Sequence, residues 1–366
     1  MKANHIQIAK ELLSPPGDTI QEHIDFIGMS QAELAERMGR PKEKINEIIK
    51  GKEPITTATA FQLEHVLGIP AAFWMNREST YRCELYALQR REELLNQLDW
   101  LKAFPVKEMK QLGWLQDATE PQALIESLLK FFAVASPDEW KRMYISEEVS
   151  VAFRVSLART SSPHAVSAWL RQGELQARDL ILEPFDKKQF KEVLHEAKEI
   201  AFTMPPDFIR RLQTRCAHCG VALVCTPALP KAPISGATRW LNNKPLLQLS
   251  GRFKTNDHFW FTFFHEAAHI LLHGKKDIFL ENIEGTAMDK EKEDEANTFA
   301  VNALIGKKSW RVLRQHLPLS TDQIEQYAQK LRVHPGIIVG RLQHEKLVPH
   351  HFGNRLKSAL DLFSVG

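Results

Sequence analysis

The stretch Phe259-Trp260-Phe261-Thr262-Phe263-Phe264-His265-Glu266-Ala267-Ala268-His269-Ile270-Leu271-Leu272 constrains this chain more than any other part of it. As a helix it is apolar on every side, and such a helix belongs in a protein interior. Burying two imidazoles and a carboxylate there is costly unless each has a partner. His265 and His269 are four residues apart, so both rings lean over one face and can converge on one metal ion. Glu266 lies one residue further round, where it reaches a water beside the ion rather than the ion itself. Zinc acidifies that water, and the glutamate takes its proton as it attacks a peptide carbonyl. His273 is four residues on again, but each step of four rotates by about 40°, so three such histidines do not share one tetrahedral ion. His273 is therefore read as a supporting or surface residue.

A third ligand is needed, and Glu291-Lys292-Glu293-Asp294-Glu295-Ala296-Asn297-Thr298-Phe299-Ala300 offers three glutamates. The apolar stripe of this helix is Ala296, Phe299, Ala300, Ala303 and Leu304. At about 100° per residue, Glu293 falls about 50° from its centre and Glu295 about 110° away. The geometry predicts that Glu293 points inward and Glu295 toward water. Asn297, one turn after Glu293, is placed to orient His265 or His269 through the free ring N–H.

The rest of the chain frames these residues. Its 366 residues imply two or three domains, and 43% hydrophobic with 25% charged residues is ordinary globular composition. Uniform apolar runs long enough to span a bilayer are lacking, the first residues carry Glu11 rather than a long apolar core, and four cysteines do not make a disulfide framework. These features predict a cytoplasmic protein with no membrane partner. Short helical patterns broken by Gly17, Gly28, Gly39, Gly51 and Gly68 fill 1–80, an amphipathic connecting helix is expected from Tyr81 to about Leu101, and prolines punctuate a helical region up to Pro205-Pro206. Strands follow at Val221–Cys225, Pro233–Leu241 and Leu246–Leu249, then the aromatic helix from Asp257 to His273, capped by Asn256 or Asp257 and stopped by Gly274. A helix near Glu291–Leu304 and two more around Pro335 complete it. The expected class is α+β, mostly helical, with a small antiparallel or mixed sheet, divided as 1–80, 81–205 and 206–366. Leu246–Leu249, just before the aromatic helix, is the expected edge for an extended substrate.

A second constellation lies near the start. Ser30 to Gly39 is a capped short helix ending in glycine, and Arg40 to Lys50, with Pro41 in its first turn, is a second helix closed by Gly51. Ala35, Gly39, Ile45 and Ile48 are spaced to pack the two across a tight turn, as a helix-turn-helix requires. The net charge of +3 does not by itself imply nucleic acid, but Arg37 to Lys52 holds six basic residues against two acids. Lys42, Lys44 and Asn46 occupy the start of the second helix, where base edges are read, with Gln31 and Arg40 beside it. Lys50 and Lys52 are placed for phosphates. Glu43 and Glu47 on the same helix would repel the backbone. The lone Cys216-Ala217-His218-Cys219 lacks a second pair and carries no metal or redox reading. Cys83, Cys225, Trp100, Trp114, Trp140 and Trp169 are read as packing residues.

These motifs resemble known families. The strands, then HEAAHILLHG, then EDEANTFA about two dozen residues later, resemble the ImmA/IrrE family of zinc metallo-endopeptidases from roughly Cys219 to Ile305. The tail HPGIIVGRLQHE is similar to its longer members, and ALIGKKSW departs from a common Leu-Met-Pro stop. The resemblance implies a gluzincin-like site of Zn2+ on His265, His269 and Glu293, with Glu266 catalytic. It also implies cleavage of a transcriptional repressor in stress or mobile-element control. Pro16-Gly17, LAERMG, INEIIKGK and LGIPAAFW resemble the Xre/Cro class, and more narrowly HigA-type antitoxins. That resemblance implies a homodimer on a double-stranded DNA operator, the gene's own promoter foremost, and raises a toxin as partner. The expected function is a DNA-binding transcriptional regulator carrying a zinc endopeptidase that hydrolyses a repressor or antitoxin. The alternative is a HigA-like antitoxin and autorepressor that binds DNA and a toxin without proteolysis.

Overall fold

The computed structural model describes residues 12–145, 162–273, 279–280 and 287–363. It divides into two compact units, 1–98 and 99–366. The expected boundary at 80 falls within one continuous helix, so the anticipated connecting helix is the far half of an element that starts at Ala71.

Among the described residues the first unit is a bundle of helices: α1 (Pro16–Phe26), α2 (Gln31–Met38), α3 (Lys42–Ile49), α4 (Thr57–Leu67) and α5 (Ala71–Leu95). Its core joins Ile20 and Ile24 to Leu34, Ala35, Ile45, Ile48, Leu63 and Trp74, all buried. Ser30 caps α2 by accepting from Glu33 N at 3.1 Å, and Gly39 ends it in the left-handed region at φ 65°. Gly17 does not break a helix, as its spacing first implies; it sits in the first turn of α1. A Cβ there would lie 2.0 Å from the carbonyl oxygen of Ile49, so only glycine lets α1 cross the end of α3.

The second unit opens with helices α6 (Leu98–Lys102), α7 (Val106–Gln111), α8 (Pro121–Phe132), α9 (Pro137–Tyr144), α10 (Pro163–Arg178), α11 (Lys187–Thr203) and α12 (Phe208–His218). Trp100, Trp140 and Trp169 are buried among them as expected, whereas Cys83, in α5, is exposed rather than packed. Strands β1 (Ala222–Cys225), β2 (Gly236–Leu241) and β3 (Lys244–Leu249) follow. Asn242 and Asn243 have φ 48° and 65°, the left-handed pair that a two-residue hairpin between β2 and β3 requires. The central helix α13 (Asn256–Leu272) precedes β4 (Phe279–Leu280), and α14 (Ala287–Leu304), α15 (Lys307–Gln315), α16 (Thr321–Leu331) and α17 (Pro335–His344) complete the described α-helices.

The sheet is mixed, in the order β1-β3-β2-β4, with β1 and β3 parallel and the other pairs antiparallel. This corrects the expectation that Leu246–Leu249 is an edge. Strand β3 is paired on both sides, so its backbone groups are already engaged.

Helix α13 crosses this sheet and is buried along nearly its whole length. Trp260, Phe263 and Phe264 are almost wholly enclosed, with Phe208 against Phe259 and Trp260. Burying each such ring contributes about 1.5–3 kcal/mol, which fixes the helix as the unit's axle. Its start differs from the expected cap. Thr255 holds the N-cap position without a side-chain bond, and Asn256 and Asp257 are buried first-turn residues. Asn256 bonds His334 Nδ1 at 2.8 Å, and Asp257 pairs with Lys357 at 2.6 Å. Gly274, the expected stop, lies outside the described residues.

Candidate active site and nucleic-acid interface

Helices α13 and α14 pack face to face and bring together the side chains that the sequence singles out. His265 Nε2 is 3.1 Å from His269 Nε2 and 3.1 Å from Glu293 Oε2, and His269 Nε2 is 3.4 Å from Glu293 Oε1. Four ligands at zinc-like bond lengths of about 2.0–2.1 Å stand about 3.3 Å apart at the corners of a tetrahedron. The three separations match those edges. Two imidazole nitrogens and a carboxylate are also the donor chemistry of a borderline cation, so His265, His269 and Glu293 fit a divalent ion. The His269 side chain is fully enclosed, and burial, followed by the charges of His265, His273 and Lys292, pushes its pKa down to about 2. Its ring is neutral at pH 7, as a metal ligand must be.

The outer nitrogens are also engaged. Asn297 Oδ1 stands 3.0 Å from His265 Nδ1, which settles which histidine Asn297 faces. His269 Nδ1 is 2.8 Å from His273 Nδ1, and His273 Nε2 is 3.1 Å from Glu295 Oε2. If His269 turns a lone pair inward from Nε2, its Nδ1–H donates to His273. His273 must then accept at Nδ1 and donate from Nε2 to Glu295. Glu295 is more exposed than Glu293 (57% against 29%), as expected, yet it closes this chain of contacts.

Glu266 faces the sheet and is wholly buried. Thr238 Oγ1 of β2 donates to Glu266 Oε2 at 2.6 Å and lies 3.0 Å from the Glu266 carbonyl oxygen. Gly236, two residues earlier on the same face, leaves the space that the carboxylate occupies: a Cβ there would be 2.6 Å from Glu266 Oε1. Sequence reasoning missed both residues. Neither has a local signal, because their partner lies 28 residues on in Thr238's case.

The amino-terminal residues singled out for DNA are gathered around α2 and α3. Lys42 and Lys44 are exposed in the first turn of α3, Asn46 is half-buried on it, and Lys50 and Lys52 are exposed at its end. Gln31 in the first turn of α2 donates to Gln21. Arg40 in the turn donates to Gln62 at 2.7 Å, and Gln62 donates to the Met38 carbonyl, so Arg40 serves the turn between the helices. Lys44 is paired with Glu47 at 2.9 Å and Glu53 at 3.5 Å. The Glu47 hydrogen bond and charge raise the Lys44 pKa, and Lys44 in turn lowers that of Glu47. Glu47 on α3 and Glu53 beyond its end thus neutralise one of the cations beside them.

CxxC cysteines Cys216 and Cys219 are buried, and burial pushes both thiols up, Cys219 to about 11. Such thiols are poor nucleophiles and poor metal ligands. Among the described residues, no helix is long and apolar enough to cross a membrane.

Comparison with known proteins finds a match in each of the two segments. The family model for an IrrE N-terminal-like domain, of peptidase family M78, matches residues 222–343, and a helix-turn-helix model matches residues 27–74. An uncharacterized HTH-type transcriptional regulator of Escherichia coli (strain K12), YddM, is 30% identical over 66 residues, which is 18% of this chain and 70% of that protein. The chain belongs to the helix-turn-helix regulator family in its amino-terminal segment, and it joins to that segment an IrrE N-terminal-like domain of the M78 peptidase family.

Proposed function

We propose that this DNA-binding regulator uses its second unit as a zinc-dependent endopeptidase, gluzincin-like in its donor set, that cleaves a regulatory protein such as a repressor or antitoxin. The observation that carries the reading is the near-tetrahedral spacing of His265, His269 and Glu293, with Glu266 beside them on the sheet side. Zinc bound by these three residues would polarise the scissile carbonyl and bring the pKa of water toward about 7. His265 and His269 direct Nε2 inward, with Asn297 and His273 at their outer nitrogens. Glu266 accepts a proton from the attacking water and returns it to the amine that leaves when the C–N bond breaks. Thr238 keeps the carboxylate from swinging away between those two transfers.

The buried, oriented Glu266 weighs against a purely structural metal site in a non-proteolytic antitoxin, which has no use for such a residue. In the first unit, Lys42 and Asn46 read base edges of an operator, and Lys50 and Lys52 meet phosphates. A homodimer on the gene's own promoter is the arrangement proposed, with stress or toxin–antitoxin control as its setting. The test is to compare zinc-loaded wild type and Glu266→Gln on candidate repressors and antitoxins. The reading expects cleavage by the wild type and none by Glu266→Gln at equal zinc content. Equal cleavage by both would overturn it.

A further inference from the structure

Beside His265 and Glu293 a cavity of about 430 Å³ opens between α13, α14, α17 and the carboxy-terminal segment. Its floor is apolar: Phe261, Val301, Leu304, Ile305 and Ile337 line it. Its walls also hold charged groups, Asp257, Lys357 and Arg341, each already paired. Lys357 is 2.6 Å from Asp257 and donates to Gln343 at 2.8 Å. Gln343 donates to the carbonyls of His350 and Phe352 and to Asn354. Arg341 donates to the carbonyls of Val301 and Ile305, pairs with Glu345, and lies over the Trp310 ring at 4.1 Å. His258 stacks on Phe253, with burial lowering its pKa, and His344 stacks on Phe261.

From this accounting we infer that the cavity is the specificity pocket of the site, and that it takes a large uncharged apolar side chain, aromatic or branched aliphatic, next to the cleaved bond. The inference rests on the proposed metal site. Its position follows from continuity, since two of the three candidate metal ligands form one wall. Its chemistry follows from the walls. A substrate carboxylate or ammonium entering it would lose water and find its would-be partners already ion-paired, whereas an apolar group gains contact with the floor. A volume of this size lies in the usual range of ligand pockets and accommodates a phenyl ring without rearrangement.

The probes are simple hydroxamates, which seat on a metal ion and differ only in the attached group. Cobalt-substituted full-length protein reports their binding through its visible spectrum, independent of any protein substrate. Phenylacetohydroxamate should bind at least about tenfold more tightly than acetohydroxamate, from the apolar area buried. Succinic monohydroxamate and 6-aminohexanohydroxamate should gain nothing over acetohydroxamate. Val301→Trp, which fills the floor, should bring the phenyl-to-acetyl ratio near one while one cobalt per chain is retained. Phe261→Ala, which removes a ring from the same floor, should lower that ratio too and covers the case in which Val301→Trp fails to fold. Binding of acetohydroxamate with no phenyl preference, or a preference for either charged arm, overturns the pocket and leaves the metal site standing. Failure of the wild type to hold cobalt overturns the metal reading, and the pocket falls with it.

Discussion

The hydroxyl of Thr238 donates a 2.6 Å hydrogen bond to the carboxylate of Glu266 from the neighbouring strand of the sheet. The same hydroxyl lies 3.0 Å from the Glu266 backbone carbonyl, so side chain and backbone of one helical residue share one donor. This contact holds Glu266 from outside its own helix, α13. Thr238→Val keeps the shape and deletes the donor. Its kcat should fall about 10–100-fold, the usual scale for losing an orienting partner, with zinc content unchanged. Thr238→Ser should recover most of the rate. Unchanged kcat in Thr238→Val would remove Thr238 from the mechanism.

His273 stands behind His269 and in front of Glu295. His273→Ala should weaken zinc binding about 10–100-fold, measured by competition with a chelator. Glu295→Ala should have a smaller effect in the same direction and should still purify with zinc. By contrast, His265→Ala and Glu293→Ala should each lose stoichiometric metal. Zinc kept in Glu293→Ala and lost in Glu295→Ala would reverse the assignment of ligand and support.

His164 is stacked on Trp140 in the second unit, and burial, with a smaller contribution from Lys141, pushes its pKa down from 6.5 to about 4. The unfolded chain therefore binds a proton at higher pH than the folded one does. Stability of this unit should be highest above about pH 6.5 and decline as the pH falls toward 4. Since the ring is only half-buried, the slope should be shallower than that of one fully shielded group. Denaturant midpoints of His164→Gln should lack this component of the pH dependence. A wild-type midpoint that rises on acidification from 6.5 would contradict the assignment.

On the DNA side, Lys50→Ala with Lys52→Ala should weaken binding to operator and random DNA alike. The salt slope should fall by about 0.9 per lost phosphate contact. Lys42→Ala should instead reduce discrimination between the two. Lys44→Ala should do less, because Lys44 is paired with Glu47 and Glu53. A salt slope unchanged in the double variant would remove these lysines from the interface.

Much of this was legible because it is local or periodic. The four-residue spacing of His265 and His269 fixes their common face, and the 3.6-residue period separates Glu293 from Glu295 without reference to any other element. The helix-turn-helix is short in range, with Ser30, Gly39 and Gly51 marking its ends. What the chain conceals is set by pairing between distant segments. That β3 runs between β1 and β2 depends on a parallel pairing across some 24 residues, Ala222 with Leu246, which no periodicity records. The contact of Thr238 with Glu266, the space left by Gly236, and the closure of the cavity by Gln343 and Lys357 all follow from that packing. Gly17 misled as a helix breaker because its reason is the Ile49 backbone, 32 positions away.

The central claim is that Glu266 works as the proton carrier of a peptidase. Its most direct test is to map new protein amino termini in cells expressing wild type or Glu266→Gln at equal abundance and zinc content. The account predicts one or a few new termini, within regulatory proteins, in wild-type cells and none of them with Glu266→Gln. The same termini appearing with both forms, or with neither under any growth condition tried, would contradict it.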